Sequence, residues 1–271
     1  MKKPFIFFLS SCLVAVLSSC EKEIPMDYHE VGSLYVAEAT ITQSGTKVRV
    51  STTQSVTDNS RTSHTVDDAT VVVYCKKYDY TEMLKHSSKG IYTSTLKGEP
   101  GVTYDIDITV GDCHFTSSST MQKAPEVNSF RFVWKKMLSE RFLFGDLRIQ
   151  DTPDQNSYYF MHIYRNGVGY RWAVMSDEKN RNGELQQLFQ CTTERDMDKG
   201  DSDALQEGDQ LQLEVRAIDK LSYDYLYSMQ VMDNAGTNPI ANFTGGCLGY
   251  FSAYYVLTFK YTFHRDEVED E

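Results

Sequence analysis

Three stretches of the chain hold residue types in spacings that could do chemistry. The first is Asp196-Met197-Asp198-Lys199-Gly200-Asp201-Ser202-Asp203, followed by Glu207. Carboxylates at alternate positions around a glycine are the raw material of a calcium loop, where oxygens surround a hard cation. The glycine falls a position too early for the EF-hand spacing and Lys199 stands among the carboxylates, so a solvated loop is the plainer reading. The second is Gly245-Gly246-Cys247-Leu248-Gly249. A phosphate cradle leads from a strand into a helix N-terminus and carries a Lys-Ser/Thr step. Here a strand pattern follows and the step is missing, so the expected role is a turn or bulge where one backbone approaches another. The third is the ring set Tyr158, Tyr164, Tyr170 and Trp172 flanking the hairpin loop Arg165-Asn166-Gly167-Val168-Gly169. Tyr164, Tyr170 and Trp172 are the candidate ligand-facing aromatics, since ring platforms bind sugars and peptides. Cross-strand packing accounts for the same residues more simply.

Hydrolytic chemistry finds little to stand on. No G-x-S-x-G elbow occurs, the six histidines form no H-E-x-x-H or H-x-H cluster, and no C-x-x-C is present. His162 reads as a packed or rim residue of a strand. The expectation is a non-catalytic protein with no catalytic residue, metal ligand or cofactor.

One residue does have a specified chemical role. Residues 1–20 read MKKPFIFFLSSCLVAVLSSC. A basic start, a short apolar run and small residues make a secretory signal peptide over 1–19. The apolar run is too short and too broken by Ser10, Ser11 and Cys12 for a membrane span. Leu17-Ser18-Ser19-Cys20 looks like a bacterial lipobox, which implies cleavage before Cys20 and acylation of that residue, palmitate being the typical chain. Residues 20–33 then form a lipidated tether.

The elements that must position the remaining residues read as strands. The chain has a formal net charge of −11 at pH 7, and loss of Lys2 and Lys3 with the leader makes it more negative. That balance gives no electrostatic footprint for nucleic acid or for an anionic lipid surface, so membrane contact rests on the lipid at Cys20. The 18 Tyr and 14 Phe, with frequent Val and Thr, suit half-buried pleated surfaces. Residues 34–122 show short alternating runs, such as Tyr104, Ile106, Ile108 and Val110, separated by turns. They predict an immunoglobulin-like β-sandwich. Gln122-Lys123-Ala124-Pro125-Glu126 is the expected boundary. Residues 126–265 predict a second antiparallel β-rich domain. Leu221, Tyr225, Met229 and Met232 recur at helical spacing and predict one helix over 220–232 that packs on a sheet, with its methionines as core filler. Residues 176–208 read as polar, and the acidic tail 265–271 as frayed. Cys75, Cys113, Cys191 and Cys247 permit three pairings. Pairing within each half and four buried free thiols are equal alternatives.

Several of these pieces fall into one order: Cys20-Glu21-Lys22-Glu23, Val66-Asp67-Asp68-Ala69-Thr70-Val71, Gly90-Ile91-Tyr92, Gly101-Val102-Thr103-Tyr104, Gly208-Asp209-Gln210-Leu211, Tyr223-Asp224-Tyr225-Leu226 and Asn242-Phe243-Thr244-Gly245-Gly246-Cys247-Leu248-Gly249-Tyr250-Phe251. Together they resemble the Bacteroidota outer-membrane lipoprotein family catalogued as domain of unknown function 4249. The resemblance implies a lipid-anchored outer-membrane protein with an N-terminal sandwich and a TonB-dependent transporter as partner. It supplies no catalytic residue. Glu21 and Glu23 also resemble a surface-export signal of that phylum, which implies display on the cell surface. The function expected is a binding or accessory protein beside a nutrient transporter. A structural or adhesive surface protein is the alternative, and a surface hydrolase a more distant one.

Overall fold

The computed structural model describes residues 32–55, 64–150, 156–178, 183–232 and 239–271. The signal peptide, Cys20 and nearly all of the tether lie outside the described residues. The chain is mainly β, and strand alternation fixes its first half. Eight strands follow one another: β1 (Tyr35–Thr42), β2 (Gly45–Thr52), β3 (Thr70–Cys75), β4 (Tyr80–Met83), β5 (Lys85–Ser88), β6 (Ile91–Ser94), β7 (Thr103–Val110) and β8 (Cys113–Thr120). They pair as β1-β2-β6-β5 in one sheet and β4-β3-β7-β8 in the other. In immunoglobulin lettering these are the A-B-E-D and C′-C-F-G sheets. Ala37, Ile41 and Val48 from the first sheet meet Val71, Ile106 and Ile108 from the second in one buried core. Tyr104, near the start of β7, is 2% exposed. Its hydroxyl oxygen accepts the Glu99 N–H at 2.9 Å, the tyrosine-corner contact of such sandwiches.

The second half adds β9 (Glu126–Met137), β10 (Glu140–Gln150), β11 (Tyr158–Arg165), β12 (Val168–Ser176), β13 (Glu184–Thr193) and β14 (Gln210–Ile218), then β15 (Leu248–Ala253), β16 (Tyr255–Thr262) and β17 (Glu269–Asp270). One sheet runs β13-β10-β9-β17 and the other β12-β11-β14-β16. Their shared core holds Trp134, Leu143, Leu147, Met161, Phe189 and Leu213. The remaining strand, β15, pairs in parallel with β1, from Val36↔Leu248 to Ile41↔Ala253. The segment before it is sewn to β8: the Thr244 N–H donates to Thr116 O at 2.9 Å, and Ser117 Oγ donates to Asn242 O at 2.7 Å. Residues late in the chain therefore seal the first sandwich along the side where β1 and β8 end its two sheets.

The glycine motif makes this closure possible, and the expected backbone approach is present. Gly249 has φ +93, and a Cβ there would lie 2.1 Å from Ala37 O; at Gly245, φ +77, it would lie 2.3 Å from His114 O. Only glycine accepts both the left-handed backbone and the contact.

Three expectations are corrected, and residues 176–208, read only as polar, hold β13 at Glu184–Thr193 and a short helix Glu194–Asp198. The glutamines of β13 hid a one-sided strand whose inward residues are Leu185, Phe189 and Cys191. The helix Lys220–Met232 is present, but it rests on Ser222, Tyr225, Leu226 and Ser228, while Leu221 is 52% and Met229 39% exposed. Asp219 sets that rotation: its Oδ1 accepts the Ser222 N–H at 2.9 Å and its Oδ2 accepts the Thr120 N–H at 2.8 Å. The small serines then let the helix approach a sheet crowded with rings. The tail is not frayed, since β17 pairs in parallel with β9 at Val133 and Trp134. Finally, the four cysteines are free thiols, but only three are buried, Cys113 being exposed.

Candidate functional site

The second half carries an aromatic sheet face that the helix covers only in part. Strand alternation puts Tyr158, Phe160, His162 and Tyr164 of β11 on the outer side. Register sets Trp172 and Glu214 on either side of His162, and Val174 and Arg216 on either side of Phe160. The helix buries Tyr158, Phe160, Val174 and Ile218 under Tyr225 and Leu226. Beyond its edge the row continues uncovered: Trp172 is 38% exposed, and His162 and Tyr164 are half-buried. The His162 and Tyr164 rings lie 4.0 Å apart between centroids, and Trp172 leans on Phe160 at 5.9 Å. Gly169, in the bulged stretch of β12, leaves the His162 ring room, for a Cβ there would be 3.0 Å from its Nε2.

Arg216 anchors this face. Its guanidinium lies 4.9 Å from the centroids of both Phe160 and Tyr254 and donates from Nη2 to Glu214 Oε2 at 2.7 Å. Burial works against its charge, but Tyr254, Glu214 and Tyr250 more than offset this and hold it protonated. Its Nε is buried with no hydrogen-bond partner among the described residues. Burial pulls the His162 pKa down, and the Arg216 charge adds to the effect against the opposing pull of Glu214. His162 is therefore neutral at pH 7. Burial likewise pushes the Tyr164 hydroxyl up. The face offers flat rings, a neutral imidazole, and a carboxylate and guanidinium locked to each other. That chemistry suits stacking combined with hydrogen bonding.

The three candidate aromatics part company here. Trp172 and Tyr164 share the open face. Tyr170 turns to the interior, where its hydroxyl donates to Cys191 O at 2.8 Å and burial raises its pKa. Arg171 stacks on Tyr170 at 4.2 Å and donates from Nε to Gln190 O at 2.8 Å, so the pair ties β12 to β13. Tyr170 and Arg171 also line an open cleft of about 440 Å³ with Arg165 and Asn166. A larger cleft of about 630 Å³ lies along the 121–126 linker, against Tyr158 and Tyr159. Phe160, Glu214 and Arg216 were legible only as members of alternating strands. The usable signal was their shared outward parity on adjacent strands, together with charges at two successive outward positions of one of them.

The acidic stretch does not converge. Asp196 Oδ2 accepts from Thr193 Oγ1 at 2.7 Å, Asp198 Oδ1 from Arg265 Nη1 at 2.7 Å, and Glu207 Oε2 from the Arg265 N–H at 2.9 Å. Among the described residues no three His, Cys, Asp or Glu side chains are placed to hold a metal ion. Nor is any helix among them long and apolar enough to cross a membrane.

A search of curated proteins found none that matches this chain. The family resemblance read from pieces that include the Val-Asp-Asp-Ala-Thr-Val strand start and the glycine motif is matched by a family model over residues 21–260. The chain thus belongs to the family described as Domain of unknown function (DUF4249).

Proposed function

We propose that this protein is a lipid-anchored, non-catalytic binding or accessory protein of the outer membrane, displayed on the cell surface and working beside a TonB-dependent nutrient transporter. The observation that carries the anchor is Leu17-Ser18-Ser19-Cys20 after a basic, apolar leader. With a chain this acidic, the lipid on Cys20 supplies the membrane contact. The half-open face of Trp172, His162 and Tyr164 beside the Glu214–Arg216 pair supports ligand or partner binding. Its groups stack and hydrogen-bond, and His162 and Glu214 are set by register and packing rather than as a nucleophile with its base. The transporter enters through the family resemblance.

Fractionation tests the anchor. The intact protein sediments with outer membranes and the Cys20→Ala variant is released. A variant that stays with membranes after a high-salt wash overturns the reading. A pull-down from detergent-solubilised outer membranes tests the partner, and recovery of a transporter barrel with the intact chain is the expected result. Trp172→Ala should reduce binding of whatever is recovered by about five- to tenfold, the worth of one stacking ring.

A further inference from the structure

The tail of the chain sits in a groove with the features of a peptide site. β9 is twelve residues long, with β10 along one side. Among the described residues its other edge is paired only by β17, at Val133 and Trp134, with the Glu271 N–H donating to Trp134 O at 2.9 Å. Around that short ladder stands a row of cations. Arg131 pairs with Glu269 and Glu271, Lys135 with Glu271 and Arg141 with Asp270. Arg141 is held from behind by Glu194 at 2.6 Å and lies 5.1 Å from the Trp134 ring centroid. Just upstream, Val268 packs on the core beside an open hollow of about 170 Å³ walled by Phe130, Phe132 and Tyr261. A strand edge supplies main-chain hydrogen bonds, a basic row selects for acid, and a hollow of three rings with Arg131 and His264 on its lining takes one side chain. These are the parts of a strand-addition site.

We propose that this edge of β9 binds an extended acidic peptide of a partner protein, with one apolar residue directly before a run of carboxylates, and that residues 268–271 occupy it as a built-in competitor. The tail already has that pattern, Val268-Glu269-Asp270-Glu271. It holds the edge weakly for its position: two ladder residues, both exposed, retained by surface ion pairs that salt screens. A longer strand would add ladder bonds along the free part of β9 and displace it. Meanwhile the tail keeps an exposed edge from pairing with unintended chains.

The test is fluorescence anisotropy with a labelled peptide copying residues 265–271, added to three proteins: the intact chain, the chain lacking residues 268–271, and an intact-length Glu269→Gln, Asp270→Asn, Glu271→Gln variant. Both altered proteins should bind the peptide at least about tenfold more tightly than the intact chain, the equivalent of one charge-assisted hydrogen bond regained. Binding should fall with salt and disappear when Arg131→Glu and Lys135→Glu are added. Circular dichroism confirms that each protein is folded, and the intact-length variant covers the case in which truncation unfolds the chain. A folded variant that binds no better than the intact chain overturns the proposal. So does equal binding of a peptide of the same charge with methylated backbone nitrogens, which would leave attraction without strand pairing. A dimer of the intact chain that vanishes on truncation would assign the edge to a second copy and likewise overturn it.

Discussion

The first sandwich buries small and β-branched side chains such as Ala37, Ala39, Val48 and Val71 around the rings of Tyr92, Tyr104 and Phe251. It closes with a strand from far along the sequence. The second buries Trp134, Phe189 and Met161 among others, and its edges rely largely on side chains. Tyr170 and Arg171 tie β12 to β13, the acidic tail covers β9, and Arg165 donates from Nε to Asp209 Oδ2 at 2.6 Å across a loop. The contrast teaches where recognition can reside. A sandwich sealed by backbone ladders spends its polar groups on closure. One sealed by rings and ion pairs leaves rings and charges at its surface, where ligands meet them.

Tryptophan makes the comparison measurable, because both residues of this type, Trp134 and Trp172, belong to the second sandwich. Circular dichroism follows both halves and tryptophan emission follows one. The largest expected effect is from Gly249→Ala. The methyl group would meet Ala37 O on a left-handed backbone, so β15 must leave β1, at a cost of about 2–5 kcal/mol. The dichroism transition in urea should move to lower denaturant ahead of the emission transition. Coincident shifts would show that the two halves unfold as one. Arg165→Ala probes the opposite side. Burial pushes the Asp209 carboxyl up, but the Gln206 N–H, Asn166 and Arg165 outweigh it and hold its pKa low. Removing the guanidinium leaves a mostly buried carboxylate without its counter-charge, held only by the Gln206 N–H and Asn166, a loss of about 1–3 kcal/mol read chiefly in tryptophan emission. Tyr104→Phe removes only the corner hydroxyl and should cost the first sandwich about 1 kcal/mol, visible in dichroism and silent in emission.

The smallest effect is a pH dependence. The hydrogen bond to Glu207 raises the His264 pKa. The Arg265 N–H, and after it His264, lowers that of Glu207. The histidine's contribution is whole below its ordinary value of 6.5 and is lost as pH rises through the raised value. The glutamate's is whole above its ordinary 4.5 and is lost as pH falls through the lowered one. His264→Gln should therefore lower Tm most near about pH 5.5 and converge with the parent chain in alkali. A constant difference across pH would show that the ring acts through packing.

The legible parts of the sequence were those fixed by local pattern. The alternation Tyr104-Ile106-Ile108-Val110 gave away β7 because burial on one face imposes period two. The glycines of 245–249 marked a backbone approach because little else explains them. What stayed hidden depended on partners distant in sequence. Nothing near Gly249 points to Ala37, and nothing in Glu269-Asp270-Glu271 points to Arg131, Lys135 and Arg141, so charge repulsion within the tail suggested fraying. The helix was visible from its periodicity, while its rotation was set by Asp219 gripping β8. Of the candidate aromatics, Trp172 and Tyr164 share one face of the sheet, in keeping with their place around one hairpin. Tyr170 was not separated from them, because β12 bulges at Tyr170, opposite the step from Ile163 to Tyr164, and shifts parity where no residue type announces it.

The parallel pairing of β15 with β1 also sets a timetable for biogenesis. A chain synthesised from its N-terminus presents the outer edge of β1 long before residues 248–253 exist. At about 5–20 residues per second that interval lasts roughly 10–40 s. Until those residues arrive the first sandwich cannot close its seam, which makes the chain a natural client for a holding chaperone and leaves β1 open to pairing with neighbouring chains. Its closure waits for residues 248–253, whatever the speed of its own hairpins.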